Sequence, residues 1–503
     1  MTEGTTTEEK NITRSKTLIL VIACVAQFMV VLDLSIVNVA LPSIRSSLGF
    51  TSLDLQWILN AYTLSFAGLL LLGGRLGDIF GRRKVFLAGL FLFGGASLLG
   101  ALATRQWEII LARTLQGVGA AILSPSTLTI ITTTFSEGRE RAKALGAWSA
   151  VAGAGGAAGA LFGGILTSYL SWRWTFLINV PIGVGEVILA RLFLTELRSA
   201  KRSTKLDIVG SLLVTVGLTS LVFGLVQGGN LGWGANETLA AFAGAAVLGV
   251  AFLYYESRVA QSPIVPLGLF RLRALSVANG AMFMLGGAIF ASWYFLSLYM
   301  QEVLGYSPLR AGMAFVPQTL AIVVGSQVSS RIVTRVGVRP LIVVGPLITA
   351  AGLLLLGGIT PEASYWRTIF APSVLVTLGM GLSFTPLAIS ATAGVEKHLA
   401  GLASGLLNTS RQVGGAVGLA GLSSLAIAVS NNDFSTLSTG AHISRHAASL
   451  QSMSYGFGRA MVVSAAIAMG ASVIAALMPK SPTRRRTDPE PSDVEVVLGF
   501  EGA

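Results

Sequence analysis

The feature that most constrains this sequence is a series of apolar runs, each near 20 residues long, separated by short polar stretches. About 20 apolar residues are enough to cross a lipid bilayer as an α-helix. Charged residues make up 12% of the 503 residues, whereas soluble proteins carry roughly 25%. The sequence therefore predicts an all-α polytopic membrane protein and excludes a large soluble core. Fourteen spans are predicted, at 17–40, 55–76, 84–103, 107–130, 142–169, 174–195, 207–228, 238–256, 274–301, 310–333, 338–358, 367–391, 402–428 and 457–478.

Lysine and arginine are distributed unevenly between the two sets of loops. With the N-terminus in the cytoplasm, the cytoplasmic loops carry roughly three times as many of them as the opposite loops, as the positive-inside rule requires. Membrane orientation thus explains the net charge of +12 better than nucleic-acid binding does. We expect a cell-membrane protein with both termini cytoplasmic, the lipid bilayer as its surroundings and no nucleic-acid partner.

Glycines of the fifth predicted span recur in the thirteenth at a constant offset of 259 residues. Two six-span halves alone would place such a repeat at about 200 residues, so the surplus matches two spans between the halves. The predicted plan is six, two and six helices. Its parts are a cytoplasmic tail (1–16), an N-terminal bundle (17–195), two linking helices (207–256), a C-terminal bundle (274–478) and a disordered cytoplasmic tail (479–503). The repeated glycines are Gly146, Gly155, Gly156 and Gly159, matched by Gly405, Gly414, Gly415 and Gly418.

Few residues suit enzyme or cofactor chemistry. The single cysteine, Cys24, excludes a disulfide within the chain, and the three histidines (His398, His442 and His446) fall in predicted loops. No phosphate-binding glycine loop that ends in Lys-Ser/Thr is present. We therefore expect no enzyme activity, no metal, no cofactor and no ATP drive by this chain.

An acid lies well inside the first span. Burying the Asp33 carboxylate costs several kcal/mol unless it is protonated, paired or hydrated. An unpaired acid there could bind and release a proton, which is what a proton-coupled transporter needs. The alternative is a structural acid paired with a neighbouring polar group, for which Asn38 is one candidate. Pro42 is expected to end or bend this span.

Two further charges lie inside predicted spans. Arg113 cannot lose its charge, so it must face the bundle interior and find an acid, a carbonyl or water. Gln116 is on the same helix face. Glu186, in the sixth span, is a functional candidate by default, although it could instead lie at the lateral surface. A purely structural Arg113 and a Glu186–Arg411 pair also remain open.

Other polar residues inside spans are candidates for substrate binding. Asn408, Arg411 and Gln412 form one stripe of a helix. Trp293 and Tyr294 could equally be anchors at the membrane interface, where aromatic residues are common. The predicted substrate-binding set is Asn38, Asn60, Tyr62, Gln116, Asn279, Trp293, Tyr294, Asn408, Arg411 and Gln412, with Gln301 as a further cavity candidate.

A charged, glycine-rich hairpin, GGRLGDIFGRRK at 73–84, lies between the second and third spans. Its basic residues must reach the surface, and its glycines allow two helices to approach closely. One interpretation is a positive-inside loop only; the other is a conformational gate formed by Gly74, Asp78, Gly81, Arg82 and Arg83. A fainter copy occurs at 330–340, with Thr334 in place of the aspartate.

The fifth span contains the run AVAGAGGAAGALFGGIL. Gly155, Gly159 and Gly163 are spaced by four residues, which places them on one helix face and favours close backbone packing. Gly164 extends this glycine helix.

Several of these motifs resemble one family of transporters, over residues 17–478. The hairpin at 73–84 resembles the signature loop of the major facilitator superfamily. LDLSIVNVALP and WRWTFLINVPIG resemble its fourteen-span drug:proton antiporter branch, and LARTLQGVGA resembles the fourth-span signature whose arginine is associated with proton transfer. The glycine-rich fifth span is similar to that of exporters, except that Ala160 occupies the position of a family proline.

The resemblance implies the major facilitator fold with 14 transmembrane helices and proton-driven antibiotic efflux by alternating access. The substrate would be an amphipathic antibiotic or cationic drug, of the kind exported in actinomycete self-resistance, with puromycin as one candidate, and the transporter would be a monomer. Asp33 and Glu186 would load the proton, Arg113 would tune the acid, and Asp78 would hold the outward-facing state shut. An exporter of another endogenous metabolite, an importer and a channel remain alternatives.

Overall fold

The structure is a computed structural model that describes residues 3–136, 138–194, 206–396, 399–440 and 443–479. Within these ranges every regular element is a helix. The α-helices are α1 (Glu3–Leu48), α2 (Trp57–Phe80), α3 (Arg82–Leu102), α4 (Gln106–Thr134), α5 (Arg139–Tyr169), α6 (Trp174–Leu177), α7 (Asn179–Phe193), α8 (Ile208–Leu231), α9 (Asn236–Tyr254), α10 (Arg273–Leu298), α11 (Pro308–Val336), α12 (Val338–Leu356), α13 (Phe370–Thr392), α14 (Ala400–Gly440) and α15 (Arg445–Ala476).

Thirteen segments of the described chain are long and apolar enough to cross a membrane, α6 and α7 together forming one of them. A further helix, α5, has 31 residues and packs between α1 and α11. It completes the fourteen predicted spans. The predicted all-α polytopic fold is confirmed.

The first helix does not end where the sequence predicted. It continues through Pro42 to Leu48, so the predicted end at residue 40 is wrong. Proline cannot donate the helical hydrogen bond to the carbonyl four residues earlier, which here belongs to Asn38. The Ser297 hydroxyl donates to that carbonyl instead, at 3.0 Å. A partner from α10 thus satisfies the acceptor that Pro42 leaves free.

Three other predicted spans have different limits in the structure. The sixth span is interrupted at Ile178, between α6 and α7. The last two helices, α14 and α15, extend well past the predicted ends at residue 428 and residue 457. Hydrophobic runs mark only the part of a helix that lies in hydrocarbon, so the polar continuation of α14 and α15 was not predicted.

Helices α1 to α7 pack mainly on one another, and α10 to α15 do the same. The two groups meet mainly along the helix pairs α5–α11, α2–α14 and α1–α10, with a further contact between α1 and α11. Helices α8 and α9 pack together, and α8 contacts both α2 and α14. The limits 17–195, 207–256 and 274–478 stay predictions of the domain boundaries. The tail 480–503 lies outside the described residues.

The glycine-rich face of α5 packs directly against the backbone of α1. A Cβ on Gly159 would lie 2.7 Å from the Leu32 carbonyl oxygen, and one on Gly163 would lie 2.7 Å from that of Ile36. Both distances are too short for any side chain. Gly155 continues this face one turn earlier, so α5 packs its backbone directly against the backbone of α1.

The opposite face of α5 packs against α11 in a similar way. A Cβ on Gly164 would lie 2.8 Å from the Leu309 Cα, and one on Gly312 would lie 2.3 Å from the Ala160 carbonyl oxygen. The Ala160 carbonyl oxygen lies directly against Gly312 of α11. Small residues on both faces therefore allow α5 to fit between the two halves.

Candidate functional site

The carboxylate of Asp33 is the centre of a fully buried polar cluster in the N-terminal half. Its side chain forms a salt bridge with Nη1 of Arg113, and both side chains are 0% exposed. Nε2 of Gln116 and Nδ2 of Asn179 each donate a hydrogen bond to Oδ1 of Asp33 at 2.9 Å. The acid on α1 thus receives partners from α4 and from α7.

Arg113 is held by several groups at once. Its Nε donates to the Ile58 carbonyl oxygen and its Nη1 also donates to Oε1 of Gln116, both at 2.9 Å. The guanidinium lies over the Tyr62 ring, 4.3 Å from its centroid, a favourable position for a cation. Nη2 is buried and has no hydrogen-bond partner in the described part of the chain. Arg113 therefore keeps one donor available beside the acid.

Asp33 is paired, so of the two alternatives for this residue the paired acid is the one found. The proposed partner was wrong, however, because the described donors to Asp33 are Arg113, Gln116 and Asn179, and Asn38 is not among them. Asn38 is five residues from Asp33, which places it on a different face of α1. The predicted role of Asp33 in proton coupling stays a prediction.

Glu186 is buried within the N-terminal half and does not face lipid. It is 2% exposed and lies on α7, which packs against α1 and α3. Its Oε2 has no hydrogen-bond partner among the described residues. A pair with Arg411 is not formed, since Arg411 donates to Oδ1 of Asn408 at 2.8 Å. Asn179 lies two helical turns away, about 10 Å along the same helix, and bonds to the Asp33 cluster.

The predicted substrate-binding residues are not all brought together. Tyr62 and Gln116 belong to the Asp33 cluster. Oδ1 of Asn279 accepts from the Ser410 hydroxyl at 2.8 Å, and the Tyr294 hydroxyl donates to a backbone carbonyl. These two are therefore already occupied by contacts within the protein.

Four other members of the predicted set carry buried polar atoms without a partner in the described part of the chain. They are Asn38, Asn60, Trp293 and Gln412. They lie on α1, α2, α10 and α14, the helices through which the two halves meet. Buried polar groups are nearly always hydrogen-bonded, to protein or to water. Buried polar atoms that lack a partner at this interface favour the binding of water or of a solute between the halves.

Sequence reasoning missed several polar residues at the site. Asn179 lies in the motif WRWTFLINVPIG, and that resemblance is the signal that could have identified it. Ser97 donates to its own helix and accepts from Gln116, and a serine in an apolar span gives no signal of this. Gln318, beside Pro317 on α11, is 2% exposed with an unpartnered Nε2.

Polar contacts between the halves concentrate where α1 ends and α2 begins, here called the outer end. Arg45 forms a salt bridge with Glu302, with Nη1 to oxygen distances of 2.7 and 2.9 Å. Nε2 of Gln301 donates to the Val39 carbonyl oxygen at 3.0 Å. Ser168 accepts from a backbone N–H of α11. Together with the Ser297–Asn38 bond described above, these contacts close the outer end.

The hairpin between α2 and α3 turns at Gly81, whose φ of +98° favours glycine. Arg83 donates to the Arg191 carbonyl oxygen at 2.7 Å, which ties the hairpin to the end of α7. Arg82 begins α3, and a Cβ on Gly74 would make only ordinary contact with Pro125. The side chain of Asp78 lies outside the described part of the structure, so its role in holding the outward-facing state shut stays a prediction.

Among the described residues, no group of three or more His, Cys, Asp or Glu side chains comes together as a metal site would need.

The chain is similar to known membrane transporters over most of its length. Residues 23–419 match the model of the Major Facilitator Superfamily. The chain is 47% identical to the cephamycin export protein CmcT of Amycolatopsis lactamdurans, covering 81% of this chain and 84% of that protein. It is 39% identical to the puromycin resistance protein pur8 of Streptomyces alboniger, covering 91% and 90%. The tetracenomycin C resistance and export protein of Streptomyces glaucescens is 36% identical, covering 80% and 74%.

Solved structures show the same fold. The crystal structure of a bacterial homolog of the human lysosomal transporter Spinster superposes with a TM-score of 0.62 at 17% identity, covering 92% of this chain and 97% of that one. Helix order, family match and sequence identity agree, and the chain belongs to the major facilitator superfamily.

Proposed function

We propose that this protein exports an amphipathic antibiotic across the cell membrane in exchange for protons. The observation that carries the proposal is the Asp33 cluster, a fully buried acid whose only charged contact in the described chain is Arg113. The relatives support the antibiotic part, because they are an exporter of cephamycin and resistance proteins for puromycin and tetracenomycin C. The protein acts as a transporter and not as an enzyme.

A proton on Asp33 would change the whole cluster. The ionised carboxylate accepts hydrogen bonds from Gln116 and Asn179 and neutralises Arg113. Protonation removes the charge that holds Arg113, whose Nη2 is already without a partner. A buried guanidinium without a counter-charge is costly. Arg113 would then move to bond with another acceptor. Because Asp33 lies on α1 and Arg113 on α4, proton binding would change the packing of these two helices.

Helix α1 connects this acid to the closed outer end. Asn38 and Val39, whose carbonyls accept from Ser297 and Gln301 of the other half, are five and six residues beyond Asp33, about 7.5–9 Å along the helix. A shift of α1 at Asp33 therefore acts on the bonds that join the two halves. In this scheme the outer contacts open when the cluster takes up a proton from outside. Their opening and closing gives alternating access.

Glu186 is the second acid in this scheme. A buried carboxyl with an unpartnered oxygen is stabilised by protonation. It lies about 10 Å further along α7 than Asn179, away from the outer end. This position suits a proton that leaves Asp33 toward the opposite side of the membrane. The protein works in this proposal as a monomer in the lipid bilayer, with both termini in the cytoplasm.

Inside-out vesicles test the proposal, because their lumen corresponds to the exterior. An acid lumen is imposed and ethidium, puromycin, cephamycin C and tetracenomycin C are added in turn. We expect uptake of at least one compound, together with loss of lumenal acid, in vesicles that contain the protein and not in empty ones. Uptake without proton movement would contradict antiport, and export from the lumen would indicate an importer.

A further inference from the structure

The two linking helices carry an acid pair that the transport scheme does not use. Asp207 precedes α8 and Glu256 follows α9, and both are buried, with 4% and 5% of their surface exposed. Both lie at the end of the molecule opposite the outer end, called here the inner end. Burying two carboxylates beside each other is unfavourable when both are ionised.

The oxygens of the two acids converge on one point. A Cβ on Gly210 would lie 2.6 Å from Oδ2 of Asp207 and 2.8 Å from Oε1 of Glu256. The two carboxyl groups therefore lie side by side at Gly210. Two carboxylates are both acceptors, so a hydrogen bond between them requires a proton on one of them.

The remaining oxygens show where that proton lies. Oδ1 of Asp207 accepts from the Gly210 backbone N–H at 2.8 Å. The other oxygen of Glu256, Oε2, accepts weakly from the Val265 N–H at 3.4 Å. Oε1 of Glu256 is buried and receives no hydrogen bond from any described donor. The one atom left without a donor is therefore the one aimed at Asp207.

We propose that Asp207 and Glu256 share one proton, which makes the inner end of α8 and α9 a second proton-binding site. The site goes beyond the proposed function, since it needs neither a drug nor the Asp33 cluster. Tyr255 adjoins Glu256 in the chain, and Arg75 of α2 donates to the Ser262 and Pro263 carbonyl oxygens, next to the residues that donate to the two acids. No lysine, arginine or histidine forms a salt bridge with either acid within the described residues.

Loss of the proton would change the contacts of the hairpin at 73–84, because the segment that follows α9 joins the two acids to it. Ile264 and Val265 donate their backbone N–H groups to the two acids. Arg75, in the hairpin sequence at the end of α2, donates to the Ser262 and Pro263 carbonyl oxygens at 2.5 and 2.6 Å. Repulsion between two ionised acids would loosen this segment and its hold on α2. The linking helices thus make the hairpin sensitive to cytoplasmic pH.

Infrared spectroscopy of the full-length protein tests the shared proton directly. A protonated-carboxyl C=O band that disappears as pH rises is expected in the wild type and in Glu237→Gln, whose side chain is exposed on α9. Glu256→Gln and, as a second variant, Asp207→Asn should each lose that band. Its loss in Asp33→Asn instead would assign it to the transport site. Identical spectra for the wild type and both pair variants would overturn the proposal.

Labelling tests the effect on the segment after α9. A cysteine is placed at Ser262 in a Cys24→Ser background, and its reaction with a maleimide is followed against pH. We expect the rate, divided by that of a free thiol at the same pH, to rise several-fold with pH in the wild-type pair and to stay flat in Glu256→Gln, because the amide keeps the neutral form. An equal rise in both proteins would show that the acid pair does not control this segment.

Discussion

At the scale of single residues, Asp33 and Arg113 depend on each other. Each is fully buried, and each is the counter-charge of the other. A charge inside an apolar run is conspicuous, so both could be identified from sequence. Their pairing could not, because it depends on how α1 and α4 are placed. Asn179 and Ser97, which complete the cluster, are residues of a common polar type and give little signal by themselves.

Removing one member of this pair should cost more than removing both. Arg113→Leu leaves the Asp33 charge buried alone, and we expect a loss of about 3–5 kcal/mol in the free energy of unfolding. The double variant Asp33→Leu/Arg113→Leu should recover most of that stability while remaining inactive in transport. Arg445→Leu, at an exposed site on α15, should change stability by less than about 0.5 kcal/mol.

Denaturation in detergent, followed by tryptophan fluorescence, measures these differences. Additive losses from Asp33→Leu and Arg113→Leu would contradict a coupled pair.

At the scale of elements, the position of α5 between α1 and α11 depends on the absence of side chains. Glycine spacing in the sequence predicted one close face. It could not show that the other face, with Ala160 and Gly164, meets α11, because that contact joins residues far apart in the chain. The helix limits were hard to predict for the same reason, since Pro42 is accommodated by Ser297 of α10.

Two glycines of α5 should respond oppositely to alanine. At Gly159 a Cβ would lie 2.7 Å from a backbone oxygen of α1, so Gly159→Ala should lower stability by about 1–3 kcal/mol and reduce transport. At Gly146 nothing lies within 4 Å of a new Cβ. Gly146→Ala should therefore raise stability, by about 0.5–1 kcal/mol. Thermal melting of both variants in one detergent makes the comparison, and similar shifts would contradict the packing described.

At the scale of the whole molecule, most polar contacts between the halves lie at the outer end. The family fold and the fourteen helices could be predicted from hydrophobic runs, basic loops and motifs. The outer salt bridge could not, because Arg45 and Glu302 lie at span ends, where charges are ordinarily solvated.

Breaking the Arg45–Glu302 pair should favour the outward-open state. The pair is partly exposed, so it contributes about 1 kcal/mol, which corresponds to about a fivefold change in population. Spin labels at Ser47 and Ser364 in a Cys24→Ser background report the separation of the outer ends. Arg45→Glu should increase the long-distance fraction, and Arg45→Glu with Glu302→Arg should restore the wild-type distribution. An unchanged distribution in Arg45→Glu would show that the salt bridge does not hold this end closed.

The central claim is that Asp33 carries the transported proton, and coupled flux in proteoliposomes tests it most directly. Purified protein is reconstituted with an acid lumen, and proton release is recorded beside uptake of the panel compound that gives the strongest signal. We predict that Asp33→Asn loses both uphill uptake and proton release but still exchanges labelled for unlabelled compound. Asp54→Asn, which changes a partly exposed acid bonded to Thr51, should keep all three activities. Uphill uptake by Asp33→Asn at the wild-type rate would contradict the account.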